Sequence, residues 1–184
     1  MRLKLVVTSA FTSIVLGSLV ITTALASSPG SQSVRIQDRC DPLTFNAAHI
    51  PCVSHERGTV TLQNLFAIIG KDPQQALRNR DAAGWRFDSD DLTIKRGTKL
   101  EWKNEGGEFH TFTPVPSFGS GCVPEVNALF GFGLNPICAD PTVFDRTGVV
   151  PGGTGSVTLY NFGTYDFQCL IHPWMRTTVH VTAD

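Results

Sequence analysis

Cys169-Leu170-Ile171-His172-Pro173-Trp174-Met175 places a thiol, an imidazole and a thioether at successive spacings of three within one short turn. These donors are soft or borderline, and they suit copper cycling between its two oxidation states better than magnesium or calcium, which take oxygen ligands. One further imidazole would complete a trigonal set. His110, in Glu108-Phe109-His110-Thr111-Phe112, sits on an alternating apolar segment upstream and shares a strand face with Phe112. Two histidines and a cysteine in a plane, with methionine as a weak axial ligand, make a blue-copper electron-transfer site. A histidine on an apolar strand face is more often a hydrogen-bonded core residue; the Cys-His-Met turn is what reverses that reading for His110.

The flanking sequence carries the same pattern. The run Asp91-Leu92-Thr93-Ile94-Lys95-Arg96-Gly97-Thr98-Lys99-Leu100-Glu101-Trp102-Lys103-Asn104 comes first. His110 follows, then Gly163-Thr164-Tyr165-Asp166-Phe167-Gln168-Cys169, then His172 and Met175, then Val179 and Val181. In this order the chain from Asp88 onward resembles the cupredoxins, the plastocyanin and amicyanin family of small copper proteins. The Cys-x-x-His-x-x-Met spacing is similar to the short ligand loop of amicyanin; plastocyanin has a longer gap before its Met. The resemblance implies a Greek-key β-sandwich and one type 1 copper held by His110, Cys169, His172 and Met175. It also implies one-electron transfer with redox protein partners that dock near His172, Pro173 and Trp174. Arg176, directly after the axial Met, stands where relatives often carry Gly. The resemblance leaves residues 27–82 unexplained.

The 184 residues are 41% hydrophobic and 17% charged, the composition of a globular chain long enough for a sizeable core. Arg2 and Lys4 precede an uncharged run from Leu5 to Ala26 that ends Ala24-Leu25-Ala26, the pattern of a secretory signal peptide. An uncleaved anchor is the rival, since that run could span a bilayer; the Ser and Thr content and the A-x-A end favour cleavage. The expected chain is therefore exported, periplasmic or extracellular, without a stable membrane anchor. Loss of residues 1–26 removes two basic side chains and no acidic one, making the formal charge of −1 more negative. That balance argues against a nucleic-acid partner.

Five cysteines in an exported chain lead to pairing by default. With Cys169 on the metal, Cys40, Cys52, Cys122 and Cys138 can pair in three ways. The expected pairing is the local one, 40 with 52 and 122 with 138, because both loops are short.

Taken in order, residues 27–39 are rich in Ser, Gln and Gly and read as a flexible leader, and 40–52 as a stapled loop. Leu62, Leu65, Phe66 and Ile69 fall on one helical face, with Thr61 as N-cap, Gly70 as C-cap and Val60 as staple. Asp72, Pro73 and Gln75 open a second, mostly polar helix. A strand over 60–62 is the alternative. From Trp85 the period becomes two: Leu92 and Ile94, then Leu100 and Trp102, alternate with polar residues around an Arg96-Gly97-Thr98 turn. Residues 115–153 form a long insertion rich in Gly, Pro and Phe, either covering the metal or docking a partner, or else making a satellite core under a loop. The last strands are 156–162, 164–169 and 177–182. Three regions result: a signal peptide at 1–26, a partly helical stapled extension at 27–82, and an all-β sandwich domain at 83–184.

Other chemistries fit less well. A copper carrier or storage protein without an electron-transfer role is the nearest alternative, but the chain has only Met1 and Met175 where such proteins tend to be Met-rich or His-rich. An enzyme with a second copper centre would need more histidine than His49, His55 and His180, none of them in a His-x-His pair. His49 and His55 beside Glu56 could hold a metal by themselves. A Cys-His nucleophile leaves His110 and Met175 unexplained, and a module that has lost its metal would not keep four ligands.

Overall fold

The alternating segments fold as strands, and a computed structural model describes them within residues 30–53 and 59–183. The signal-peptide reading falls on 1–26, outside these residues, as do His55 and Glu56. No helix among the described residues is long and apolar enough to cross a membrane.

Strand β1 (Ser31–Gln37) comes first, followed by helices α1 (Pro42–Ala47), α2 (Leu62–Lys71) and α3 (Pro73–Asn79). Then come β2 (Arg86–Phe87), β3 (Asp91–Lys95), β4 (Lys99–Asn104), β5 (His110–Thr111) and β6 (Thr113–Val115). The insertion holds α4 (Pro124–Ala128), a 3-10 turn (Pro136–Ala139), α5 (Val143–Thr147) and β7 (Gly148–Val149), and β8 (Thr154–Thr158), β9 (Gly163–Gln168) and β10 (Arg176–Thr182) complete the chain. One four-stranded sheet has the order β2-β1-β4-β8 and the other β3-β10-β9-β6, while β5 pairs with β7. Both large sheets are mixed: β1 runs parallel to β4 and β10 parallel to β3, the other pairs being antiparallel.

The two sheets form a sandwich, and Phe112 shows how they meet. Its buried ring lies 5.0 Å from Phe87 and 4.7 Å from Trp102 on one sheet, and 4.6 Å from Phe167 on the other. Val34, Ile36 and Leu100 from the first sheet and Ile94, Val179 and Val181 from the second belong to the same buried cluster.

Residues 31–37 are a strand where a flexible leader is expected. Val34 and Ile36 point inward at period two, and all six residues Ser31–Ile36 are in register with Lys99–Asn104. The ladder to β4 supplies the order that the polar neighbours Ser31, Gln32 and Ser33 do not suggest. Helix α2 also runs one residue past the expected Gly70 stop, because Asp72 ends it and at once caps α3, accepting from Gln75 N–H at 2.9 Å. Thr61 caps α2 as expected, its hydroxyl accepting from Asn64 N–H at 3.2 Å. Thr61→Ala should lower stability by about 1 kcal/mol, measured by chemical denaturation against the parent chain.

Both expected disulfides form, Cys40–Cys52 and Cys122–Cys138, and Cys169 is free and buried. The insertion contributes to the main core: Phe130 is buried and packs 5.7 Å from Trp174.

Candidate metal centre

His110 enters on β5, which is only two residues long and is braced from both ends. Its register with β7 sets His110 opposite Val149, so the returning end of the insertion holds the ligand strand. Before it, Asn104 stitches the tight turn: its side-chain amide donates to Glu108 O at 2.7 Å and to Val149 O at 2.9 Å, and its Oδ1 accepts from Gly106 N–H. Cys169 follows directly on β9. The turn after it closes on its own backbone, Cys169 N–H donating to Met175 O at 3.0 Å and Met175 N–H to His172 O at 2.9 Å.

These supports bring His110, Cys169 and His172 together. Cys169 Sγ lies 3.8 Å from His110 Nδ1 and 3.9 Å from His172 Nδ1, and the two Nδ1 atoms are 3.2 Å apart. The point equidistant from the three atoms is about 2.1 Å from each, the length of a metal–imidazole bond and slightly short of a metal–thiolate bond. Two nitrogens and a sulfur so spaced could hold one metal ion without any of them moving far. Met175 is fully buried in the same turn.

The thiolate is prepared for that role. Burial alone would raise the Cys169 pKa, but the hydrogen bonds and positive charge of His110 and His172 outweigh it and hold it well below the ordinary thiol value. Thr111 N–H also donates to Sγ, at 3.5 Å. For His110, burial favours the neutral ring, yet Asp38 and Cys169 overcome it and raise its pKa to about 10. Metal uptake must then displace a proton.

Two carboxylates that sequence reasoning did not single out stand behind the imidazoles. Asp38 Oδ2 is 2.9 Å from His110 Nε2, and Glu108 Oε2 is 3.8 Å from His172 Nε2 and accepts from Trp85 Nε1. Burial pushes the Glu108 carboxyl up, opposed by the charge of the two histidines. Asp38 continues the parity of Val34 and Ile36, inward at every second residue, a sign legible only once β1 is known to be a strand.

Arg176 is half-buried against the ligand turn. It donates from Nε to Pro173 O at 2.5 Å and from its terminal nitrogen to Gly119 O at 3.1 Å, and its guanidinium lies over the Phe118 ring. Burial lowers its pKa to about 10. The charge thus ties the turn to the insertion.

His172, Pro173 and Trp174, near which a partner is expected to dock, are covered. His172 is 5% and Trp174 1% exposed, and Pro173 is buried. Over them lies an apolar cavity of about 270 Å³, walled by Phe45 of α1, Leu65 of α2 and Val126 of α4, with Ile171, His172 and Trp174 among its other lining residues. His180 is on the outer face, its Nδ1 3.1 Å from the Thr164 hydroxyl, apart from the donor triangle. His49 lines the same cavity.

No protein-family model matches the chain, and no curated protein matches it. Among solved structures it is similar to a copper(I) form of an amicyanin variant, at 20% identity over 53% of this chain and 73% of that one, with a TM-score of 0.34. It is also similar to a purple cupredoxin from Nitrosopumilus maritimus, at 19% identity over 56% of this chain and 90% of that one, with a TM-score of 0.38. Two mixed four-stranded sheets packed through Phe112 make the fold a β-sandwich, with the His110, Cys169 and His172 donors gathered beside β9.

Proposed function

We propose that this chain is an exported type 1 copper protein that carries single electrons between redox partners. The observation behind the reading is the donor triangle: two imidazole nitrogens and a thiolate about equally far from one point, all buried. Copper, when bound, supplies the one-electron couple. His110 and His172 would hold it through Nδ1, Cys169 through its thiolate, and Met175, buried in the same turn, through its thioether sulfur. Because the donors come from two separately braced segments, the protein resists the rearrangement that a change of oxidation state would otherwise bring. Full burial of His110 and Cys169 keeps water out and disfavours ready exchange of the ion, which favours an electron carrier over a copper carrier or storage protein. Two disulfides fit an oxidising compartment outside the cytoplasm.

A redox protein partner would reach His172 over the apolar cavity, whose lining includes the exposed Phe66. Docking near His172, Pro173 and Trp174 is then contact through the covering helices, not directly on the ligand turn.

Titration of the disulfide-paired protein with Cu(II) tests the central point. An intense visible band should grow, saturate at one copper per chain, and be missing in Cys169→Ser. Correctly folded protein that gives no such band would overturn the reading.

A further inference from the structure

Asp38 has no task in the metal set, yet it is the most heavily engaged buried carboxylate beside it. Its side chain is fully buried. Oδ1 accepts from Cys40 N–H and Gly107 N–H, each at 3.0 Å, and Oδ2 accepts from Glu108 N–H at 3.0 Å. Oδ2 also meets His110 Nε2, at 2.9 Å. A group ringed by three backbone donors is held as an anion, which can only accept. His110 Nε2 therefore carries the proton of this bond, and Nδ1 is turned toward Cys169 and His172. The seat is cut to fit: a Cβ on Gly106 would stand 1.9 Å from Asp38 Oδ2 and 2.9 Å from the Asp38 backbone nitrogen, so the turn approaches this closely only with glycine there.

We infer that Asp38, brought in by the N-terminal strand, is the positioning residue of the metal centre: it aims the His110 ring, and its fixed negative charge favours the oxidised over the reduced ion. The inference rests on the copper reading of the same site. A histidine ligand held through its far nitrogen by a carboxylate keeps its orientation and is a better donor. The charge acts in the same sense. A buried anion one imidazole away from the ion stabilises the higher positive charge more than the lower, so the reduction potential is lower than it would be without it. The segment before α1 is in this way part of the redox centre.

Asp38→Asn keeps the size and removes the charge. Its amide has one oxygen for two sets of donors, and its –NH₂ would face either the backbone N–H groups or His110 Nε2–H. The expected results are a copper affinity lower by about 10–100-fold in chelator competition, a reduction potential shifted positive, and a visible band that persists, shifted in position. Gly106→Ala keeps the carboxylate but pushes it from its seat, and should weaken copper binding in the same direction. The parent chain supplies a measurement that needs no variant. In its diamagnetic Cu(I) form, the His110 Nε2 proton should resonate far downfield and exchange slowly with solvent. A folded Asp38→Asn protein with unchanged affinity and potential, or a rapidly exchanging Nε2 proton in the parent, would overturn the inference. Absence of the blue band in the parent chain is a different result and sinks the copper reading itself.

Discussion

Phe112→Ala should lower the unfolding free energy by about 3–5 kcal/mol, a larger loss than removal of any helix cap or surface contact in this chain. The ring is 1% exposed and touches Phe87, Trp102 and Phe167, two strands of one sheet and one of the other. Truncation removes apolar contacts in both directions at once. The hole lies between two ladders whose hydrogen bonds resist collapse into it, which places the expected cost toward the upper end. Chemical denaturation of the metal-free protein reads the change directly. A loss under about 1 kcal/mol would mean that the sheets close over the gap and that Phe112 is not the bridge described. Because Phe112 follows β5 and precedes β6, the same substitution should loosen His110 and weaken metal binding as well.

The second large effect comes from the bridge between Cys40 and Cys52. Replacing both by alanine should cost about 3 kcal/mol by the chain-entropy estimate for a loop of this length, given a sequence separation of 12. Alanine avoids placing hydroxyl groups at two buried positions. The bridge also has a local duty. Cys40 N–H donates to Asp38 Oδ1, Cys52 pairs with Glu108, and Val53 N–H donates to Gly107 O at 2.9 Å. Its two ends thus clamp the two sides of the carboxylate seat. The double variant should therefore lose copper affinity as well as stability, and a stability loss with unchanged affinity would confine the bridge to a structural role.

Much of this is legible in the order of the residues alone. Leu92 and Ile94, Leu100 and Trp102 announce their strands by alternation, and Thr61 and Asp72 announce their helices by capping chemistry. Both disulfides follow from loop length once Cys169 is set aside. Three of the four expected ligands, His110, Cys169 and His172, converge in space. What escapes is whatever depends on distant register. Ser31–Gln37 carries only Val34 and Ile36 as signal, too short a pattern to outweigh the polar residues around it. Its order comes from β4, whose partner residues lie far along the chain. Asp38 is hidden for the same reason: an aspartate beside a polar stretch reads as solvated until pairing carries it to His110. The burial of His172 is equally unreadable, because it needs α1, α2 and α4 to meet over one turn.

The place of two strands in their sheets sets the order in which the protein can assemble. Strand β1 is made first but lies between β2 and β4, so it must wait for residue 104 before its longer ladder exists. Strand β10 is inner to its own sheet, between β3 and β9, and spans residues 176–182. A nascent chain that has reached Met175 already contains every proposed copper ligand and the β6–β9 ladder, but still lacks the strand that joins β9 to β3. Such pairings of high contact order close late and slowly. Metal capture at this centre is accordingly expected only after β10 has joined its sheet.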